Sequence, residues 1–249
     1  MSGPPSPLIE NYLRETGFWH VINIGRGCKL DPKLISVFIE RWRPETHTFH
    51  LLCGECTITL EDVQLQLGLP VDGFVLIGSV QSTDWGAICC DLLGAILDNI
   101  YGGWVEMGWL RNTFLKSGND STEVERIRYA RAYILEIIGG YMMLDLSRNL
   151  IHLRWLLKLV DFRAADELSW GSAVLATLYR EMCGGTKPNK AKIEGCLSLL
   201  QSWARFRFPF LRPRFQWTPY NDLIIRAVIS DKFFQNLNIW YVKVLLVNY

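Results

Sequence analysis

The amino-acid sequence predicts a mainly α, multi-helix globular domain with a small β-hairpin near residues 48–59. Apolar side chains recur at helical spacing in several segments that are bounded by Gly or Pro, which is typical of amphipathic helices. Two short runs rich in β-branched residues, separated by a Gly-containing turn, indicate the hairpin. The chain has 249 residues and is 49% hydrophobic, which is enough to bury a large core.

The N-terminal segment, residues 1–7, is small, polar and rich in Pro, so we expect a disordered lead. Residues 8–249 are then expected to form one domain, which begins with a helix over Leu8–Glu15. Asp31-Pro32 predicts the start of the next helix, because Asp suits the N-cap and Pro is tolerated in the first turn. Pro44 marks its end.

The hairpin is predicted from Thr48–Leu52 and Glu55–Thr59, which Cys53-Gly54 separates. Thr59 then caps a helix over Leu60–Leu67, where Asp62 takes the place of Glu in a capping box. Gly68 and the following Pro are the expected exit from that helix. The apolar run Phe74–Ile77 has the character of a strand.

The remaining periodic segments predict further helices. In chain order they are Asp84–Leu93, Gly108–Lys116, Thr122–Ile138, Leu150–Val160, Ser169–Cys183, Ala191–Phe206 and Tyr220–Phe234.

Composition excludes several classes of protein. The net charge is +1, so no global field attracts nucleic acid or anionic lipid. The N-terminus lacks the basic start and apolar run of a secretory signal. The longest apolar stretch, Ile134–Leu146, is interrupted by charged residues and glycines and is too short to span a bilayer. We therefore expect an intracellular protein without a membrane partner, in which the seven cysteines stay reduced.

A candidate zinc site lies in the hairpin, where His47, His50, Cys53 and Cys56 form an H-x2-H-x2-C-x2-C run. Imidazole and thiolate groups are good zinc ligands, and four of them complete a tetrahedral site. Side chains three residues apart on a strand point to opposite faces, however, which argues against a common site. We therefore predict no bound metal, with these four residues as the candidates to examine.

A candidate interaction surface combines arginines with aromatic residues near the C-terminal third: Trp203, Arg205, Arg207, Arg212 and Arg214. Arg beside aromatic side chains can bind phosphates and stack on bases, or form a protein interface. The ordinary alternative buries the aromatic rings and leaves the Arg heads in water.

Catalytic motifs are missing from the sequence. It has no nucleophile elbow, no phosphate-binding Gly-rich loop and no H-E-x-x-H pair. No sequence pattern pairs any of the four histidines with a nucleophile. We therefore predict no catalytic residue, no cofactor and no enzymatic activity.

Several phrases in a fixed order resemble the plant mobile domain, the aminotransferase-like domain of the MAINTENANCE OF MERISTEMS-like family. They are Arg41-Trp-Arg-Pro-Glu-Thr-His-Thr-Phe-His50, Thr57-Ile-Thr-Leu-Glu-Asp-Val63, Leu67-Gly-Leu-Pro-Val-Asp-Gly73, Tyr129-Ala-Arg-Ala-Tyr-Ile134, His152-Leu-Arg-Trp155 and Ser169-Trp-Gly-Ser-Ala-Val-Leu-Ala176 with Leu178-Tyr-Arg180. The resemblance runs from about Leu13 to about Tyr220. The family pattern weakens after Phe215-Gln-Trp217, so we expect the C-terminal part of the domain to be incomplete.

The resemblance implies a function. It implies a non-enzymatic, nuclear interaction module of transposon origin that serves meristem maintenance, transposon silencing and genome stability. The partners it implies are proteins, including a phosphatase-like protein and chromatin factors. The segment that contains Arg205 and Arg207 leaves an alternative open, which is a nucleic-acid-binding protein of a mobile element.

Overall fold

Helices alternate with two small sheets along the chain. The structure is a computed structural model, and it describes residues 4–25, 29–76, 84–95, 100, 102–114, 120–143, 149–186 and 193–211. The α-helices are α1 Glu10–Glu15, α2 Trp19–Gly25, α3 Pro32–Glu40, α4 Leu60–Leu67, α5 Trp85–Leu93, α6 Met107–Thr113, α7 Glu123–Ile137, α8 Phe162–Asp166, α9 Trp170–Gly185 and α10 Leu197–Arg207. The strands are β1 Trp42–Arg43, β2 Thr48–Leu51, β3 Gly54–Cys56, β4 Trp104–Glu106 and β5 Leu150–His152. This architecture confirms the predicted mainly α class.

Shorter helical turns complete the architecture. Turns of 3₁₀-helix cover Pro7–Ile9, Leu153–Leu159 and Pro209–Leu211, and a π-helical turn, Ile138–Met142, directly continues α7. The described residues up to Phe210 belong to one compact unit. The predicted helix Tyr220–Phe234 lies outside the described residues.

Side-chain caps mark the predicted starts of α3 and α4. The Asp31 carboxylate accepts hydrogen bonds from the backbone N–H groups of Lys33 and Leu34, at 3.1 and 3.2 Å. Thr59 and Asp62 form the predicted capping box at α4. Each cap satisfies N–H groups that have no partner within the helix, which is why it fixes the first residue.

Gly68 ends α4 as predicted. Its φ of 64° lies in the left-handed region, which glycine adopts at little cost. A Cβ at this position would also lie 2.5 Å from the His20 ring, so a larger residue at the end of α4 would clash with α2.

The predicted hairpin is present as β2 and β3, and β1 extends it to a three-stranded antiparallel sheet. Phe49 of β2 pairs with Trp42 on one side and with Cys56 on the other. The preceding helix ends at Glu40, before the predicted stop at Pro44, because the chain must become extended at Trp42 to join this sheet.

A second sheet corrects the predicted helix over Leu150–Val160. Residues Leu150–His152 are instead strand β5, which pairs antiparallel with β4 through Ile151 and Val105. Only the 3₁₀ turn Leu153–Leu159 is helical, and the His152 side chain caps it by accepting a hydrogen bond from the N–H of Arg154. Pairing with a strand about 45 residues away in sequence overrides the local apolar pattern.

Two other predicted boundaries differ from the structure. The helix predicted over Ala191–Phe206 begins only at Leu197, because Gly195 has a φ of 85° and interrupts a helical start. Of the predicted strand at Phe74–Ile77, the structure describes residues 74–76, which form a single parallel bridge between Phe74 and Leu168.

Aromatic side chains form much of the core. Trp42, Trp170 and Trp203 are fully or almost fully buried. Phe49 packs against Trp42 with ring centroids 4.8 Å apart and against Trp203 at 5.2 Å. The three-stranded sheet is thereby fastened to α10, which is distant from it in sequence.

Helix α7 and its π-helical continuation form the other part of the core, with nearly every residue from Tyr129 to Gly139 buried. Within the described ranges, no helix has the length and apolar character that crossing a bilayer requires.

Candidate interaction site

The four candidate zinc ligands lie along the hairpin. His47 lies in the turn after β1 with its ring beside Tyr179, with centroids 5.5 Å apart. His50 Nε2 lies 3.1 Å from Glu55 Oε1 on the neighbouring strand. Cys53 is exposed at the hairpin tip, and burial raises the pKa of the Cys56 thiol. In the described part of the chain, no three His, Cys, Asp or Glu side chains converge as metal ligands would.

The candidate surface of arginines and aromatics is divided by helix α10. Trp203 is 1% exposed and stacks on Phe49, so it belongs to the core and not to a surface, which corrects that prediction. The cause is the helical period, which turns Trp203 inward and leaves Phe206 and Arg207 exposed. Arg205 is half-buried, and the remaining two members, Arg212 and Arg214, lie outside the described residues.

A cavity of about 220 Å³, here called the α9 cavity, lies between helix α9 and the second sheet. Four residues of α9 line it at helical spacing: Ala173, Ala176, Thr177 and Arg180. Residues at i, i+3, i+4 and i+7 share one face of a helix, and small side chains at three of these positions leave room beside the backbone. The π-helical turn contributes Gly139 to the opposite wall.

Aromatic and basic side chains form the wall that faces α9. The Arg154 guanidinium lies over the Trp155 ring, with Cζ 4.6 Å from the ring centroid. The His152 ring lies edge-on to Trp104 at 4.9 Å and to Trp85 at 5.3 Å. His152 Nδ1 accepts the hydrogen bond from Arg154 N–H at 3.0 Å, which places the proton of the neutral ring on Nε2.

The charged side chains among the described residues that line the α9 cavity are two arginines. Burial lowers the pKa of His152, and the nearby Arg154 lowers it further, so the imidazole is neutral at pH 7. Arg154 and Arg180 therefore supply the charge, and none of the described residues that line the cavity is an Asp or Glu. Thr177 is the one hydroxyl among them.

An apolar rim, defined as Phe74 and Val75, adjoins the cavity through Leu76, which is one of its lining residues. Phe74 is 72% exposed and Val75 67% exposed. The backbone of Phe74 is nevertheless held on both sides. Its N–H donates to Glu167 O at 2.7 Å, and its carbonyl accepts from Ser169 N–H at 2.8 Å. Large apolar side chains that are exposed on an anchored backbone are typical of interaction surfaces.

A second depression, of about 400 Å³, lies between the end of α3, strand β1 and the end of α9. Its charged lining residues are Glu40, Arg43 and Glu45, which carry opposite signs. Because these charges oppose one another, the depression has no preference for a ligand of one charge.

The α9 cavity could not be found from sequence motifs. Its residues come from positions 76 to 180, and none of them forms a catalytic or ligand-binding pattern with its sequence neighbours. Two features of the sequence nevertheless point to the α9 cavity. The phrase His152-Leu-Arg-Trp155 concentrates polar and aromatic groups, and the small residues of α9 recur on one helix face.

Comparison with known proteins places the chain among related sequences. A sequence model of the plant mobile domain matches residues 17–226. The chain is 42% identical over 212 residues to the Serine/threonine-protein phosphatase 7 long form homolog of Arabidopsis thaliana, which covers 84% of the chain and 16% of that protein.

Two further Arabidopsis thaliana proteins are similar. The chain is 38% identical over 204 residues to Protein MAINTENANCE OF MERISTEMS, covering 81% of the chain and 42% of that protein. It is 37% identical over 195 residues to Protein MAIN-LIKE 2, covering 78% of the chain and 29% of that protein. The matched segment is therefore less than half of each of these relatives. No solved structure matches the chain.

Proposed function

The chain belongs to the plant mobile domain family, and on that premise we propose that it is a non-enzymatic interaction module of transposon origin that acts in the nucleus. The partners we propose are proteins, namely a phosphatase-like protein and chromatin factors. The processes we propose are meristem maintenance, transposon silencing and genome stability. Each part of this proposal can be tested separately.

One observation carries the proposal. The segment that matches this chain forms a different and minor share of each relative, 16% of the phosphatase 7 homolog and 42% of MAINTENANCE OF MERISTEMS. A domain that recurs beside different lengths of other sequence is a separable module, which is compatible with the interaction role that we propose.

The chemistry of the α9 cavity supports binding over catalysis. The neutral His152 imidazole lies against Trp85 and Trp104, and its Nδ1 already accepts a backbone hydrogen bond. General base catalysis needs a nucleophile within hydrogen-bond reach of the base. The described residues that line the cavity are instead mostly apolar and aromatic, and such a surface binds a partner without changing it covalently.

The proposal is tested by affinity capture from plant nuclear extract, with the tagged chain as bait and quantitative mass spectrometry as the readout. A matched bait carries Trp170→Ala, which removes a fully buried side chain and disrupts the folded domain. Phosphatase-like or chromatin proteins that are enriched on the wild-type bait and lost on the variant would support the proposal.

Two outcomes would contradict it. Recovery of the same chaperones on both baits, with nothing specific to the folded chain, would remove the interaction role. A fluorescent fusion confined to the cytoplasm of plant cells would remove the nuclear role.

A second candidate function is nucleic-acid binding in the service of a mobile element. The observation that favours it is the exposed pair Phe206 and Arg207 at the end of α10. Gel shifts over a series of salt concentrations separate the two functions, because phosphate contacts make affinity fall steeply with salt. Shifts that weaken in Arg207→Gln but not in Arg163→Gln would favour nucleic acid.

A further inference from the structure

We propose that the apolar rim binds a basic peptide segment of a partner protein. An apolar side chain of that segment packs on the rim, and its neighbouring Lys or Arg side chains pair with three carboxylates, here called the acidic border. The acidic border is defined as Asp72, Asp166 and Glu167. This inference rests on the proposed function as an interaction module, and it adds the chemistry of the partner.

Hydrogen bonds fasten the segment that carries the rim to the junction of α8 and α9. The Pro70 carbonyl accepts from the Gly171 N–H at 2.9 Å. The Val71 carbonyl accepts from the Ser169 hydroxyl at 2.8 Å. Together with the two backbone hydrogen bonds of Phe74, they order the rim before any partner arrives. A surface that is already ordered loses less entropy on binding, so more of the interaction energy contributes to affinity.

Gly73 brings the rim next to the acidic border. A Cβ at Gly73 would overlap the carbonyl oxygen of Glu167, so only glycine allows the two segments to lie this close. The bridge pairs Phe74 with Leu168, the residue after Glu167. Asp72 lies two residues before Phe74 on the same segment. Apolar and acidic side chains therefore share one surface.

The third carboxylate, Asp166, lies beside the same segment. A Cβ at Gly17 would lie 2.6 Å from Asp166 Oδ1 and 3.5 Å from the Pro70 ring, so both groups meet at this glycine. All three side chains of the acidic border are exposed. None of the ion pairs formed within the described residues uses one of them. They are therefore available to a cationic partner.

Charge complementarity identifies that partner as basic. Carboxylates at the edge of an interface attract Lys and Arg and disfavour acidic segments. Arg163 of α8 lies three residues before Asp166, but its guanidinium pairs with Glu15 at 3.0 Å. Burying the exposed rings and methyl groups of the rim supplies the hydrophobic part of the binding energy. A segment with an apolar residue beside basic residues meets both requirements.

The arginines of the α9 cavity do not reverse this preference. Along the chain the rim separates Asp72 from Leu76, where the cavity begins. The Arg154 guanidinium lies over Trp155, and Arg180 lies 3.8 Å from Glu181. We therefore place the basic peptide across the rim and the acidic border, outside the cavity.

Two other occupants fit this surface less well. Nucleic acid would bring its phosphates against the acidic border, where like charges repel. A second copy of this chain would place one acidic border near the other, because a two-fold interface joins the same surface of both subunits. A basic peptide meets no such repulsion.

The test measures fluorescence anisotropy with the whole chain and a short fluorescein-labelled peptide in which lysines alternate with leucines. One matched peptide has Gln at every Lys position, and another has Ser at every Leu position. Each should bind about tenfold more weakly, the first because several exposed ion pairs are lost and the second because the rim stays uncovered. Equal binding of the Lys-Leu peptide and the Gln peptide would overturn the proposal.

A variant of the rim locates the apolar contact. Phe74→Ser should weaken the Lys-Leu peptide about tenfold. The Phe74 side chain is 72% exposed, so the variant should keep the urea unfolding midpoint of the wild type. Leu52→Ser is the matched control, because Leu52 is a fully exposed apolar residue at the tip of the hairpin. Equal effects of the two variants would remove the rim from the site.

A double variant locates the charged contact. Asp72→Asn with Glu167→Gln should weaken the Lys-Leu peptide about tenfold. The control is Glu40→Gln with Glu45→Gln, which changes the net charge equally at two exposed carboxylates near β1. Equal weakening by the two double variants would show that the peptide responds only to net charge, which contradicts a site at the acidic border.

Competition and nuclear capture separate the remaining outcomes. Displacement of the peptide by oligo-deoxythymidine would overturn the choice of a peptide. A wild-type chain that is a dimer by light scattering and becomes a monomer in Phe74→Ser would identify a second copy as the occupant and would overturn the proposal. If wild type and Phe74→Ser capture the same specific nuclear partners, this inference fails while the interaction module stands. If the wild-type bait captures nothing specific, the proposed function fails, whatever the peptide does.

Discussion

His152 shows how a single residue acquires its properties from the fold. In the sequence it is one of four histidines, and nothing adjacent to it is a nucleophile or an acid. In the structure its ring is enclosed by Trp85 and Trp104, and its Nδ1 caps the following 3₁₀ turn. Burial, with Arg154 as a second cause, lowers the pKa of the imidazole from its ordinary value of 6.5.

The lowered pKa predicts a loss of stability in acid. Because the pKa of His152 is lower in the folded chain, the unfolded chain binds a proton at His152 more readily as the pH falls below about 6.5, so the free energy of unfolding falls as the pH is lowered. Asn can accept the same cap hydrogen bond but does not titrate, so His152→Asn should lose less stability between about pH 7.5 and about pH 5. Urea unfolding midpoints of both proteins at the two pH values measure this. Identical pH dependence would contradict the prediction.

Neighbouring cysteines should differ sharply in reactivity. Burial raises the pKa of the Cys89 thiol to about 11, with the adjacent Cys90 as a second cause, whereas Cys90 itself is exposed. Because the thiolate is the reactive form, iodoacetamide should label Cys90 well before Cys89 at neutral pH. Peptide mass mapping over time measures the two rates. The difference should vanish in denaturant, and comparable rates in the native protein would refute the burial of Cys89.

The candidate zinc ligands show that residue types and their spacing alone can be misleading. Their spacing favoured a tetrahedral site, but the hairpin directs His50 toward Glu55 and leaves Cys53 at the exposed tip. The strand geometry that argued against the site was also a sequence-level consideration.

Arg131 of α7 joins its own helix to two other segments of the chain. Its guanidinium donates to the carbonyls of Leu92, Leu159 and Val160 at 3.0, 2.9 and 2.8 Å. Those carbonyls belong to the end of α5 and to the turn before α8, so α7 holds both through one side chain. A planar fork of five N–H donors is needed for three divergent bonds.

Replacing that fork should destabilise the domain. Arg131→Lys keeps the charge but cannot reach three acceptors, so we expect a loss of about 1–3 kcal/mol in the free energy of unfolding. Arg126→Lys on the same helix is the control, because the bond from Arg126 Nε goes to a single hydroxyl, that of Ser121. Chemical denaturation measures both. Equal losses would show that the three bonds are not important.

Elements were predictable where a few neighbouring residues encode them. The caps at Asp31, Thr59 and Thr122 mark three helix starts, since each cap bonds only to the first turn of its own helix. Strand β5 was not predictable, because its extended backbone depends on β4 and not on its own apolar pattern. The delayed start of α10 likewise depends on how Gly195 packs beside α9, where Leu178 lies nearby.

At the scale of the whole molecule, Trp203 links the sheet to the last described α-helix. It contacts Phe38, Phe49 and Phe208 and is almost completely buried. Truncating the Trp203 side chain removes its contacts with Phe38 and Phe49, which lie more than 150 residues away in sequence. The packing of these distant segments in the core therefore depends on Trp203.

Trp203→Ala should therefore lower the free energy of unfolding by about 3–5 kcal/mol. Phe206→Ala, one turn further along the same helix at a side chain that is 59% exposed, should change it by less than about 0.5 kcal/mol. Thermal unfolding of the two variants distinguishes a core residue from a surface residue. A decrease of less than about 1 kcal/mol in the free energy of unfolding for Trp203→Ala would indicate that Trp203 lies on the surface, as the sequence predicted.

The sequence sufficed for the mainly α class, the hairpin, most helix starts and the family, because caps, turns, periodicity and ordered phrases are each contained within a few neighbouring residues. It did not suffice for the second sheet, the burial of Trp203 or the α9 cavity. Arg154 and Arg180 line the same cavity only because β5 pairs with β4 and α9 lies beside them. Contacts between distant segments form only when the chain folds, and the chemistry that depends on them is decided at that stage.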